Sequence, residues 1–142
     1  GWDGLVRVLD DGGYVRYDFS TATKLLRIMR DLKERYGSLE ELRRQSADTK
    51  DLDKRLQEFK GIGPVTAQIF LRELRAQWKV SPEISSRARE MAECLGIDMK
   101  GLDGEELARV ETALIKLNLR YCKRKMCSEC AAMEFCRDAA DE

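Results

Sequence analysis

The sequence predicts an all-α protein, a helical bundle that ends in a cysteine-rich loop. Three observations predict it. Apolar residues recur at three- and four-residue steps through most of the 142 residues. Serine, aspartate and proline stand where these runs begin, and glycine where they end. Four of the five cysteines, Cys122, Cys127, Cys130 and Cys136, fall within a single fifteen-residue stretch.

Taken in order, the segment from Val6 to Tyr17 is interrupted by Asp10-Asp11-Gly12-Gly13 and is expected to be extended or turn-like. Leu25, Leu26, Ile28, Met29 and Leu32 then form a helical stripe, with a cap expected at Ser20 and a stop at Gly37. Ser38-Leu39-Glu40-Glu41 reads as a capping box that starts the next helix. A short helix is expected near Leu52 to Phe59. Pro64 opens another that runs to about Trp78, since the first helical turn tolerates proline. Ser81 and Pro82 are expected to start a helix that ends near Gly96. Asp103-Gly104-Glu105-Glu106 is expected to cap the last long one, which carries Leu107, Val110, Leu114, Ile115 and Leu117. The organisation expected is an N-terminal segment 1–19, a helical region 20–80 and a helical region 81–142 that contains the cysteine loop 122–136.

Composition narrows the partners. Charged residues make up 37% of the chain, with 26 Lys and Arg against 26 Asp and Glu. A chain with no net charge does not bind nucleic acid by bulk charge, so any such contact needs a local basic patch. The stretch 116–127 is one: it holds Lys116, Arg120, Lys123, Arg124 and Lys125 and no acid. It reads either as a solvated helix end or as a phosphate-facing surface. No apolar run is long enough to span a membrane and no signal peptide is evident, so no membrane partner is expected. Clustered cysteines suit a reducing compartment, cytoplasmic or nucleoid-associated, better than a disulfide framework. The chain has no histidine, which removes Cys/His zinc fingers and histidine-dependent catalysis.

The cysteine spacing is C-x4-C-x2-C-x5-C. Four thiolates so close together can hold a [4Fe-4S] cluster or, alternatively, a zinc ion. Cys94, in the helical segment 87–95, is expected to be an ordinary small core residue and not a ligand.

A second motif lies upstream. Leu56-Gln57-Glu58-Phe59-Lys60-Gly61-Ile62-Gly63-Pro64-Val65-Thr66-Ala67 has the form helix, glycine turn, helix. Glycines two apart admit backbone conformations closed to other residues and let another backbone come near. The second helix then begins with unpaired N–H groups at the positive end of its dipole, suited to phosphate without a lysine. A tight turn between two packed helices would use similar residues. With Leu56, Phe59, Ile62, Ala67 and Phe70 at core positions, the string resembles the helix-hairpin-helix motif of DNA-binding proteins. That resemblance implies duplex DNA held through its phosphates by Lys60, Gly61, Gly63, Val65 and Thr66, and by Lys123, Arg124 and Lys125 in the cysteine loop.

Hairpin and cysteines together resemble the helix-hairpin-helix DNA glycosylases of the endonuclease III family, over residues from about Tyr17 to Cys136. Four segments carry the likeness: Tyr17 to Leu26, Gly61 to Ala67, Ile84 to Gly96, and Leu119-Arg120-Tyr121-Cys122 with the loop that follows. The resemblance implies an endonuclease III-like fold, a [4Fe-4S] cluster on Cys122, Cys127, Cys130 and Cys136, and a link to base-excision repair. The first gap between cysteines is two residues shorter than the family's.

The departures are as informative. Val65 stands where the family's lysine nucleophile would be, and Ser85 where its aspartate would be. Valine cannot form a Schiff base, and serine cannot offset a cationic sugar as a carboxylate does. Glu83 is the nearest carboxylate. On a helix it would lie about 200° round from Ser85, and it reads either as a plain first-turn residue or as a replacement acid. Only sixteen residues precede Tyr17, fewer than the family's helical barrel has, so the chain is expected to be a fragment or to lack part of a base pocket.

The leading expectation is therefore a DNA-binding protein with an altered catalytic centre. The alternatives are an active monofunctional glycosylase without lysine-dependent lyase activity, and a zinc-stapled helical interaction module. A protein partner cannot be read from the sequence.

Overall fold

The computed structural model describes residues 1–137; residues 138–142, the end of the expected region 81–142, lie outside the described residues. Every regular element among the described residues is helical, as the periodicity predicts. The α-helices are α1 (Trp2–Asp11), α2 (Asp18–Arg35), α3 (Leu39–Gln45), α4 (Thr49–Gln57), α5 (Pro64–Glu73), α6 (Arg75–Trp78), α7 (Ser86–Leu95) and α8 (Gly104–Arg120). Three short 3-10 turns follow, Cys122–Arg124, Cys127–Glu129 and Met133–Phe135. The chain forms two compact units, Gly1–Ile69 and the part from Phe70 onward.

The first unit corrects the expectation for the N-terminus. Residues 6–11 are helical, not extended, because α1 has something to pack on. Trp2 stacks on Phe19 at 5.4 Å and its indole N–H donates to Thr23 Oγ1 at 3.0 Å, while Val6 is buried. The glycine pair 12–13 ends α1, so the turn-like part is confined to residues 12–17. Helix α2 begins at Asp18, two residues before the expected cap. Ser20 lies within its first turn and donates back to the Tyr17 carbonyl at 3.1 Å.

Some of the later punctuation is as expected, but the helix expected near Leu52 to Phe59 runs from Thr49 to Gln57, and Asp103, expected to cap α8, precedes it without a side-chain cap bond. Gly37 stops α2 at φ +82°, with its N–H on the carbonyls of Leu32 and Lys33. Ser38 Oγ accepts the Glu41 N–H at 3.1 Å, which caps α3. Asp48 does the same for α4 by accepting the Asp51 N–H at 2.8 Å. Leu42, Leu52, Leu56 and Phe59 fill the interior of this unit.

The second unit is built round α7 and α8. Ala88, Met91 and Ala92 of α7 meet Leu114 of α8, and Ile84, Leu95, Val110 and Leu117 close over them. Where one helix was expected from Pro64 to Trp78, the chain breaks at Leu74 into α5 and α6. The helix expected from Ser81 begins only at Ser86, and residues 80–85 are irregular.

The reason is a buried ion pair. Arg75 Nη2 lies 3.1 Å from Glu111 Oε2, and both side chains are nearly sealed, 6% and 3% exposed. The same Arg75 nitrogen donates to the Pro82 carbonyl at 3.3 Å, and Glu111 Oε1 accepts the Ser85 N–H at 2.9 Å. Two charged groups thus take up the polar backbone of 82–85 and stand in for the helical bonds it would otherwise form.

Truncating one partner leaves the other charge buried and uncompensated. Glu111→Ala should lower stability by about 3–5 kcal/mol in urea unfolding. Replacing both groups, Arg75→Met with Glu111→Leu, should cost less than Glu111→Ala alone.

A second prediction concerns α4. Asp51 Oδ2 accepts the Ala47 N–H at 3.0 Å and Arg55 Nε–H at 2.9 Å, and these bonds hold its carboxyl below the ordinary aspartate value. A carboxyl lowered on folding adds stability above its unfolded pKa, and that contribution is lost as pH falls through the folded one. Acid titration of Asp51→Asn, followed by circular dichroism, should therefore show a flatter decline in stability below the ordinary aspartate range than the native chain shows.

Candidate functional site

Helix α4 ends at Gln57 and the chain turns through residues 58–63 into α5. The Phe59 ring anchors the turn from below. It is 2% exposed, meets Tyr36 at 6.2 Å between ring centres, and lies beneath the Arg35 guanidinium at 5.3 Å. Arg35 also pairs with Glu58. The Ile62 N–H closes the turn on the Phe59 carbonyl at 3.0 Å.

The two glycines differ in what they do. Gly61 adopts φ +103°, a conformation that a side chain strongly disfavours, whereas Gly63 has no positive φ and open space where a Cβ would stand. Only Gly61 uses the freedom expected of both. The first bond of α5 runs from the Ala67 N–H to the Gly63 carbonyl at 3.0 Å. The N–H groups of Val65 and Thr66 precede it and have no acceptor within their own helix. Lys60, Gly61, Gly63, Val65 and Thr66 are all exposed, Val65 at 69%. The expected hairpin residues therefore stand side by side at one surface. Leu56, Phe59 and Ala67 point inward, while Ile62 and Phe70 are only half-buried.

The cysteine loop begins where α8 ends. Arg124, Lys125 and Met126 donate their N–H groups to the carbonyls of Tyr121, Cys122 and Tyr121, each at 3.0 Å. This tight winding puts Lys125 at φ +55° and leaves Lys123, Arg124 and Lys125 exposed. Lys116 and Arg120, on the last turns of α8, are exposed as well. Two later turns, closed by Cys130 N–H on the Cys127 carbonyl and Cys136 N–H on the Met133 carbonyl, fold the loop back on itself.

As a result Cys122, Cys127, Cys130 and Cys136 line one small apolar pocket, walled also by Met91, Leu95 and Met133. Four soft sulfur donors round one pocket are the donor set that a thiolate-bound metal or cluster needs. Their present arrangement is not a ligating one. Among the described residues, no three Cys, Asp or Glu side chains are close enough to share an ion. Cys136 is joined in a disulfide to Cys94, with Cα atoms 5.3 Å apart.

That bond corrects the expectation for Cys94, which is half-buried and cross-linked, not an ordinary core residue, and it occupies the expected ligand Cys136. The physical reason is helical spacing. Cys94 lies three residues after Met91, so both face the loop. Met91 itself was not foreseen; its sulfur accepts from Cys122 Sγ–H at 3.5 Å. The period of α7 carried this signal, because Met91, Cys94 and Leu95 form one stripe.

The positions read as altered catalytic residues are also placed. Ser85 is half-buried with its N–H held by Glu111, and Glu83 is exposed. Both precede α7, so Glu83 is neither a first-turn residue nor separated from Ser85 by a helical angle. Sequence reasoning did not single out Glu111, which reads as one more polar residue of α8.

No protein-family model, no curated protein and no solved structure matches this chain.

The contrast between the glycines is testable. Gly61→Ala forces a Cβ into a strained backbone and should cost about 1–2 kcal/mol. Gly63→Ala should change stability by less than about 0.5 kcal/mol, as for surface substitutions without strain. Chemical denaturation of the two variants measures both.

Proposed function

We propose that this chain is a DNA-binding protein related to the endonuclease III superfamily, with a four-cysteine metal centre and without the family's usual catalytic pair. The observation that carries the reading is the exposed turn at 60–66. It combines a glycine at φ +103° with the N-terminus of a ten-residue helix, whose first N–H groups have no acceptor within the helix, the chemistry that a phosphate diester recognises. Backbone N–H groups carry no sequence information, so the binding is to the duplex backbone and largely independent of base sequence.

Lys123, Arg124 and Lys125 supply a second set of phosphate contacts. Among the described residues none of the three has an ion-pair partner. Cys122, Cys127, Cys130 and Cys136 would hold the [4Fe-4S] cluster, or zinc in its place. The bound group would cross-link a loop whose Phe135 and Met133 are exposed at 64% and 45%, and which has little apolar core of its own.

Val65 and Ser85 bear on catalysis. Neither side chain can form an imine with an abasic sugar or offset its positive charge, so the proposal is of binding without lysine-dependent lyase chemistry. Borohydride should accordingly trap no cross-link between the chain and abasic DNA.

The decisive experiment is a salt titration of duplex binding together with metal analysis of the purified chain. With about three to five phosphates neutralised, log K should fall against log salt with a slope of roughly −3 to −5. Replacing Lys123, Arg124 and Lys125 with alanine should flatten the slope. Iron and sulfide should be present in a cluster's proportion. An unchanged slope would remove the loop from the interface, and zinc without iron or sulfide would replace the cluster.

A further inference from the structure

The disulfide between Cys94 and Cys136 gives one residue two incompatible partners. Cys136 lines the pocket shared with Cys122, Cys127 and Cys130, yet its sulfur is bonded to Cys94 on the last turn of α7. Cys94 does not line that pocket. The other three cysteines are not joined in a disulfide. We propose that Cys94 and Cys136 form a reversible thiol–disulfide site that competes with metal for Cys136: closed, it withdraws the fourth ligand; reduced, it releases it. The inference rests on the four-cysteine reading above.

Three features fit such a site. The two Cα atoms are 5.3 Å apart, within the range a disulfide spans without backbone movement. Both cysteines are only partly buried, so a small thiol or disulfide can reach them. Cys136 follows a single 3-10 turn, Met133–Phe135, whose Phe135 and Met133 side chains are exposed. Such a segment has few packed side chains to resist a shift of its sulfur from one partner to the other.

The chemistry balances with a low-molecular-weight disulfide as oxidant. The Cys94 thiolate, which stands outside the four-cysteine pocket, attacks the oxidant's S–S bond, forming a mixed disulfide and expelling one thiolate. The Cys136 thiolate then attacks the Cys94 sulfur and expels the second. Two protein thiols are oxidised to one disulfide, one small disulfide is reduced to two small thiols, and the two protons from Cys94 and Cys136 pass to the leaving groups. Reduction by an excess of small thiol runs the same steps backward. A metal already bound to Cys136 slows the second step, because its thiolate is then engaged, and completion of that step releases the metal.

The test uses the whole chain and Zn2+ as the probe. Reduced native protein should bind about one zinc, as a four-thiolate site does. After treatment with oxidised glutathione it should lose that zinc, and peptide mapping should find Cys94 joined to Cys136. Cys94→Ser should keep its zinc under the same oxidant, since the thiol outside the metal site that starts the exchange is gone. Cys136→Ser should lose the bridge and also bind zinc weakly when reduced, which separates the two roles of the pair. The proposal is overturned if the oxidised native protein carries the Cys94–Cys136 bridge and keeps its zinc. It is overturned equally if Cys94→Ser releases zinc as the native chain does, or if oxidation joins other cysteines. Reduced protein that takes up no zinc, native and Cys94→Ser alike, refutes the four-cysteine reading itself. That outcome is distinct from failure of the competition alone, in which the reduced chain binds zinc normally.

Discussion

The second unit depends on two charges that have been taken out of water together. Arg75 and Glu111 are both buried, and each also bonds the backbone ahead of α7, Arg75 at the Pro82 carbonyl and Glu111 at the Ser85 N–H. Glu111 sits between Ala108 and Leu114 on the buried stripe of α8, where an apolar residue would be expected. A buried ion pair adds little net stability, but it penalises any arrangement in which either partner is alone. It therefore holds Pro82 and Ser85 in place just ahead of α7. The α7–α8 core and the face that α7 turns toward the cysteine loop follow from that placement.

The hairpin depends on a different constraint, the packing of Phe59 under Arg35 and against Tyr36. Beyond that ring the chain turns through residues 58–63, and Gly61 takes the positive φ in the turn. Polar backbone is presented outward at the start of α5, and the proposed DNA contact would use it. A chain with balanced charge has few means of holding a polyanion, and directed N–H groups are one that needs no net charge. Lys123, Arg124 and Lys125 add charge only where the loop winding exposes them.

The cysteine loop is held differently again. Its turns are closed by local backbone bonds, while its side chains bury little. Sulfur chemistry supplies what packing does not, through the covalent tie from Cys136 to Cys94 of α7, and the proposed metal among four thiolates would do the same. Only the metal would gather all four sulfurs on one centre.

The sequence by itself determined the helical class, some of the helix ends and the cysteine spacing. Those features are local: Gly37 ends a helix through its own backbone, and Ser38 and Asp48 cap one through a bond three residues away. The hairpin residues were legible for the same reason, since a turn and a helix start are written within a dozen positions. The sequence could not place α1, which is helical because Trp2 finds Phe19 and Thr23 in the next helix. Nor could it show that Ser81 and Pro82 fail to start α7, because the carboxylate that holds Ser85 arrives from 26 residues further on. Cys94 and Cys136 are 42 residues apart, and their spacing carries no trace of the bond. Only the tertiary structure decided these points, because each depends on a partner brought close by the packing of other elements.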